Sequence, residues 1–341
     1  MKKRVIIIGG GTAGMTAAAS LAGMGFDVCL LEKESRPGGH VRNWDRLFPN
    51  RRKSSEVVAF LEQGIQGVRT IYRAEIENVT RNGEFVVTLA DRNEVRGDAM
   101  LLATGYDLFE ASRKEEYGYG IYDNVITSAE LEEIMREGRK PEFRGGPPKR
   151  IAFVHCVGSR DEKAGNLYCS KVCCVTGVKQ AIEMRELFPK AEIFNFYMDL
   201  RMFDRHFEEM YYEAQRDHGI NFIRGRVSEC AENADGSVVV KLEDTLTARP
   251  LKITVDLLVL LVGMVPSAGT QKLAEMLGLN KGDDRFLLPA DEHTLGNNSG
   301  MEGLFLAGAV KGPACISGTI ADGRAAALQI AGYLNKQTPA E

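Results

Sequence analysis

The sequence predicts an α/β protein of two tandem parallel-sheet domains, the second inserted into the first. Three observations predict it. The chain opens on a strand, a glycine-rich turn and a helix, "VIIIGGGTAGMTAAAS". A segment on the same plan, "KRIAFVHC…SKVCCVTGVKQAIEMRELFPKAEIFNFY", begins at Lys149. Each is followed by a hairpin and an apolar strand that ends in glycine, the mark of an internal duplication. A length of 341 residues accommodates two domains, and 44% hydrophobic with 26% charged residues is the balance of a soluble globular chain.

Taken in order, "KRVIIIGGGTAGMTAAASLAGMGFDVCLLE" reads as strand, helix and strand. In "ENVTRNGEFVVTLADRNEVRGDAMLLATG", Asn82-Gly83 is a hairpin turn between alternating strands, and a buried strand runs to Gly105. The second copy, "CAENADGSVVVKLEDTLTARPLKITVDLLVLLVG", has Asp235-Gly236 as its turn and ends at Gly263. The chain continues through a helix, "SAGTQKLAEMLGL", then a strand, loop and long helix, "GLFLAGAVKGPACISGTIADGRAAALQIAGYL". This tail has no second half of its own and is expected to return to the first domain. The breaker-rich stretches "REGRKPEFRGGPPK" and "GMVPS" mark the boundary regions. The domains are therefore expected at 1–110 plus 266–341, with 111–265 inserted.

A net charge of −4 leaves no broad basic field for nucleic acid. The short cluster Arg51-Arg52-Lys53, with Arg42 and Arg46, reads as a solvated loop. No apolar run reaches the ~18 residues of a membrane helix. The glycine fingerprint interrupts the apolar start, which argues against a secretory leader and for a cytoplasmic protein. Seven cysteines is an odd count, and a reducing compartment favours ligands over disulfides.

Gly9, Gly11 and Gly14 form a G-x-G-x-x-G between the strand from Val5 to Ile8 and an alanine-rich helix, and Glu32 ends the second strand. Such glycines let the backbone approach a pyrophosphate seated on the helix N-terminus, while the acid accepts ribose hydroxyls. Three further features favour FAD over NAD. They are "RPGGHV" soon after Glu32, "LLATGYD" at a strand end, and "GLFLAGAVKG" before a final helix that starts near Ile316 to Thr319. Amides at that helix start can face the electron-rich edge of a flavin. The residues expected to contact FAD are Gly9, Gly11, Thr12, Ala13, Gly14, Glu32, Lys33, Gly38, Gly39, His40, Val41, Ile76, Ala103, Thr104, Gly105, Gly308, Ala309, Ile316, Ser317 and Thr319. The whole arrangement resembles two-domain Rossmann-like flavoproteins of the thioredoxin-reductase type. That family has Gly-Asp where this chain has Gly308-Ala309, so the aspartate's bond to the ribityl chain is missing or replaced.

In the inserted domain the glycine fingerprint is absent, and cysteines stand in its place with the spacing C-x12-C-x3-C-C: Cys156, Cys169, Cys173 and Cys174. A helix over 170–187 would put Cys169 and Cys173 on one face. Buried thiols would not cluster so tightly, a thioredoxin-reductase disulfide needs C-x2-C, and structural zinc prefers C-x2–4-C pairs. Four soft thiolates suit a [4Fe–4S] cluster better than zinc. Cys29 and Cys230 read as core, and Cys315, in the loop before the last helix, as packing with a redox role left open.

The segments "HCVGSRDE…YCSKVCCVTGVKQA", "ATGYDLFEASRKEEYGYGIYDNV", "DLRMFD…FEEMYYEAQRDHGINFIRGRV" and "GMVPS" resemble the A subunit of heterodisulfide reductase. The resemblance implies FAD, a [4Fe–4S] cluster on the four named cysteines, a cytoplasmic multi-subunit electron-transfer complex and a homodimeric core. The methanogen form carries extra ferredoxin-type C-x2-C-x2-C-x3-C runs that are absent here. The short form is similar to the A subunit of the heterodisulfide-reductase-like complex of sulfur-oxidising bacteria, which implies sulfur oxidation. The alternatives are the flavin subunit of the quinone-interacting oxidoreductase complex of sulfate reducers, a stand-alone NAD(P)H-dependent reductase, and a flavin-stabilised scaffold with structural zinc.

Overall fold

The computed structural model describes residues 2–336. The chain divides into two units, 1–42 with 54–107 and 265–341, and 43–53 with 108–264. Their helices in chain order are α1 (Thr12–Gly23), α2 (Ser54–Gly64), α3 (Ser128–Arg136), α4 (Cys173–Leu187), α5 (Phe207–Arg216), α6 (Ala268–Leu277) and α7 (Ile316–Lys336).

In the first unit a five-stranded parallel sheet runs in the order Leu304–Leu306, Ala99–Leu102, Arg4–Ile8, Asp27–Glu32, Arg69–Tyr72. Both faces of the inner strands are covered, so these are continuous apolar runs whose residues take opposite sides by turns, whereas the edge strand Arg69–Tyr72 is half-exposed. Val5, Ile7, Leu30 and Leu101 pack into one core with α1 and α7. Ile6, Ile8, Leu31 and Leu102 pack into another with a three-stranded antiparallel sheet, Ile76–Asn82, Glu84–Leu89 and Glu94–Gly97. Fully burying each such side chain contributes roughly 1.5–3 kcal/mol.

The second unit repeats the plan. Its parallel sheet runs Val125–Thr127, Leu257–Val262, Arg150–Val157, Glu192–Tyr197, Asn221–Arg224, and a second antiparallel sheet joins Val227–Glu232, Val238–Asp244 and Arg249–Val255. The hairpin turns fall at Asn82-Gly83 and Asp235-Gly236. The two copies differ at one edge. The first unit takes its outer strand, Leu304–Leu306, from the returning tail; the second takes Val125–Thr127 from the chain that approaches it. α3 follows at once, started by a capping box in which Thr127 and Glu130 satisfy each other's backbone N–H groups.

Three expectations need correction. The breaker-rich stretch after α3 is not a boundary but lies inside the second unit; the chain changes units at 107/108 and 264/265. Residues 43–53 belong to the second unit although they interrupt the first. The basic cluster is only in part a solvated loop: Arg46, Arg52 and Lys53 are exposed, but the segment is held. Arg51 pairs with Glu213 at 3.0 Å, the Arg46 carbonyl accepts a 2.8 Å bond from Lys179 Nζ, and Arg42 pairs with Glu62. The short strap is thereby tied down by charges on α4 and α5 that are remote in sequence.

Candidate functional site

The carboxyl edge of the first unit's sheet builds a cradle. Gly9 has φ +106°, and a Cβ there would strike the Ala103 carbonyl; a Cβ on Gly14 would strike the Gly9 carbonyl. Only glycine permits both the left-handed turn and the close approach of helix to strand. Gly11, by contrast, faces open space, and α1 starts there with no side chain capping its amides. The glycine pair crosses above: Gly38 N–H donates to Gly10 O at 2.8 Å, and a Cβ on Gly39 would lie 3.4 Å from Gly11 Cα. The result is an anion seat over a helix N-terminus, which fits a dinucleotide pyrophosphate.

Glu32 is buried at the end of its strand. Its two carboxylate oxygens accept the Gly10 and Glu34 N–H groups at 2.7 and 2.8 Å. A carboxylate accepts more bonds than these, so lone pairs remain for ribose hydroxyls. Thr12 and Thr319 join their hydroxyls at 2.8 Å, a Cβ on Gly308 would come within 2.8 Å of Ala13 Cβ, and Thr104 bonds Thr270 at 2.5 Å. The structure thus brings Gly9, Gly11, Thr12, Ala13, Gly14, Gly38, Gly39, Ala103, Gly308 and Thr319 to one place, with Glu32 beside it. His40 stacks on Tyr106 and places Nε2 2.8 Å from its carbonyl, and Val41 is buried. Lys33 is exposed, Ile76 gives its carbonyl to Lys272, and Ile316 and Ser317 open α7.

Ala309 is buried in the turn after Leu306. A carboxylate is nevertheless present there, from α7. Asp322 accepts Gly308 N–H at 2.6 Å, Asn297 Nδ2 at 2.7 Å and Lys311 Nζ at 2.9 Å. Sequence reasoning missed it because the residue lies 14 positions downstream, two turns into a helix.

In the second unit the turn after Arg150–Val157 is a long loop in place of a glycine fingerprint. Cys156 sits at the strand end with φ +60°, where the ladder to Leu257–Val262 shifts register. α4 begins at Cys173, later than predicted, so Cys169 lies in the loop and shares no helical face with it. Cys173 and Cys174 form the first turn of α4 and are buried, and Cys169 is half-buried. The four thiols still sense one another. Burial pushes Cys156 up to about 12, with the Cys174 and Cys169 charges adding to it. Burial also raises Cys173, and then Cys156, Cys174 and Cys169 raise it further. Burial raises Cys174 as well. Among the described residues no three His, Cys, Asp or Glu side chains form a preformed site for one metal ion. A single tetrahedral ion needs its ligands that close. Four soft thiolates are the donor set that a four-iron cluster takes, one to each iron.

The loop is built rather than loose. Asp161 and Asn166 exchange backbone bonds at 2.8 and 3.0 Å, Ser170 N–H donates to Ser159 Oγ at 3.0 Å, and Tyr168 OH donates to Met264 O at 3.0 Å. Beneath it lies a buried ion pair: Lys114 Nζ is 2.7 Å from Asp161 and 2.8 Å from Glu116, with Arg226 3.2 Å from Asp161. Both residues stood inside the motifs "SRKEEYGYG" and "GSRDE", but nothing in either reveals that they meet. His155, beside Cys156, is buried with Nε2 2.8 Å from Asn195 Oδ1; burial lowers its pKa to about 4. On α4, Lys179 is buried between Glu132 and Glu183.

Two family models match the chain, an NAD(P)-binding Rossmann-like domain over 7–69 and a pyridine nucleotide-disulphide oxidoreductase over 174–329. Among solved structures it is similar to thioredoxin reductases of Lactococcus lactis (TM-score 0.68, 19% identity, 98% of this chain and 100% of that one) and T. acidophilum (0.69, 18%, 99% and 100%). These share the fold. Among curated proteins it is 32% identical, over 96% of its own length and 64% of the relative's, to a protein of Methanopyrus kandleri named as the second iron-sulfur A subunit of CoB–CoM heterodisulfide reductase. It is 30% identical, over 96% and 63%, to the A subunit of the H2:CoB-CoM heterodisulfide,ferredoxin reductase of Methanothermobacter thermautotrophicus. The chain therefore spans less than two thirds of these relatives. The first alignment has 418 positions against 341 residues here, so the relative also carries insertions within the matched region.

Proposed function

This chain belongs to the family of heterodisulfide reductase A subunits, and on that premise we propose that it is an FAD- and [4Fe–4S]-containing electron-transfer component of a heterodisulfide-reductase-like complex. The observation that carries the reading is that a structured loop replaces the second unit's glycine fingerprint, with Cys156 at its start, Cys169 within it and Cys173 and Cys174 opening the helix after it. FAD accepts two electrons and releases them singly, and a four-iron cluster passes one at a time. The chain's part is to hold both. The cradle at Gly9 to Gly14 with Glu32 seats the dinucleotide, and Cys156, Cys169, Cys173 and Cys174 supply four thiolates. Because burial keeps the free Cys156, Cys173 and Cys174 thiols protonated, loading must release protons.

The finer reading extends to sulfur oxidation, a homodimeric core, partner subunits and a cytoplasmic setting, and rests on the family resemblance. Among the described residues no helix is long and apolar enough to cross a membrane. Anaerobic purification followed by metal analysis and a visible spectrum tests the reading. Iron, sulfide and flavin bands are expected; zinc in their place supports a structural site. Cys173→Ser offers a harder ligand that ionises less readily, so it should lose iron while keeping FAD. Full iron content in that variant would remove Cys173 from the ligand set.

A further inference from the structure

Arg160 lies in the loop between Cys156 and Cys169 and takes a left-handed backbone, φ +53°. Its main-chain N–H donates to Tyr168 O at 2.9 Å, which fixes it in the built part of the loop. Its guanidinium is anchored on one side only: Nη2 donates to Asp199 Oδ2 at 2.8 Å. The same Asp199 accepts Cys174 Sγ on its main-chain carbonyl at 3.5 Å, so one residue ties the guanidinium to the cysteine site. Nη1 is shielded from solvent and makes no hydrogen bond. A buried N–H left unmade is costly, and a guanidinium donor more so, so this arm is set for an acceptor at the adjoining cysteine site, where the guanidinium already favours the Cys156 thiolate. The charge is felt where that acceptor would sit. The Arg160 cation works against burial at both Cys156 and Cys174, and charges on Cys156 and Cys169 stabilise it in turn. The loop already directs another N–H to sulfur, from Lys171 to Cys169 Sγ at 3.3 Å.

We propose that Arg160 is the charge partner of the centre held by the four cysteines, donating Nη1–H to one of its sulfurs and making it easier to reduce. The inference rests on the cluster reading above. Reduction adds one electron, and so one negative charge, to a centre that is already anionic through its thiolates; no atom or proton moves. A fixed cation with one arm pinned by Asp199 stabilises the more negative state more strongly. Arg160 is a positioning and tuning residue, not a ligand.

The test is a dithionite titration of the anaerobically purified protein, followed by electron paramagnetic resonance, with iron and sulfide measured on the same samples. Arg160→Met should load iron as wild type does. Its equilibrium constant for reduction by a fixed donor should fall about ten-fold or more, which is about 59 mV for a one-electron couple. Arg160→Lys, which keeps the charge but loses the planar fork, should recover most of that change. An unchanged midpoint in iron-loaded Arg160→Met overturns the proposal. Should Arg160→Met fail to take up iron, Arg160→Lys decides: iron uptake with a near-wild-type midpoint supports the charge role, and loss of iron in both variants makes Arg160 a structural member of the loop and overturns it. Wild-type protein without iron would instead sink the cluster reading, so the two failures are distinguishable.

Discussion

Lys114→Met is expected to destabilise the second unit by about 3 kcal/mol. The perturbation removes one partner of a buried pair and leaves the other. Asp161 is 1% exposed and would lose the ammonium 2.7 Å away. Breaking a buried pair this way costs roughly 3–5 kcal/mol. Arg226 at 3.2 Å and the Ala164 N–H at 3.3 Å remain, which places the cost near the lower end. Trp44 is the only tryptophan and lies in the second unit, so its fluorescence reports that unit's unfolding. With a urea m-value of about 1–3 kcal/mol/M, the midpoint should fall by about 1–3 M. The pH dependence carries a sign. Burial raises the Asp161 pKa, but the bond and charge of Lys114 outweigh it and hold it below its ordinary 3.8. The pair's contribution is therefore present above pH 3.8 and lost as pH falls through the depressed value, so the gap between variant and wild type should close in acid. Adding Asp161→Leu to Lys114→Met should recover at least half of the loss, because no charge is then stranded. A single variant within ~0.5 kcal/mol of wild type, the range of ordinary surface changes, would refute the reasoning.

Glu32→Ala should weaken FAD binding by about 1.5–3 kcal/mol, the worth of a charge-assisted hydrogen bond, and leave iron near wild type; unchanged affinity in a titration of the apo-protein counts against the ribose role. NADH and NADPH should reduce the flavin slowly or not at all, because the cysteine loop stands where their phosphate cradle would be; a fast, saturable stopped-flow trace with either nucleotide contradicts this. Burial raises the Glu183 pKa above its ordinary 4.5, against the pull of Lys179, so the folded state holds a proton that the unfolded state has released, and stability should fall as pH rises from 4.5 through the raised value. Glu183→Gln should flatten that slope; an equally steep profile in the variant removes Glu183 as its source.

By itself the sequence determined what local chemistry determines. The glycines at 9, 11 and 14, the acid at 32 and the turns at Asn82-Gly83 and Asp235-Gly236 act through backbone geometry within a few residues, so spacing alone reveals them. The apolar runs from Val5 to Ile8 and Leu257 to Val262 reveal strands buried on both faces by the same logic. The cysteine motif was legible as a set, though its helix was placed too early, because nothing local halts a helix before Cys173; the tertiary bonds of Ser159, Ser170 and Tyr168 hold the preceding loop open. Only the tertiary structure decided which charges meet. Lys114 with Asp161, Arg160 with Asp199, Asp322 with Gly308 and Lys179 with the 43–53 strap join residues from separate elements. A charged side chain carries no periodic signature of its own, and it becomes a partner only after the apolar cores have folded the strands and helices that bring its counter-charge within reach.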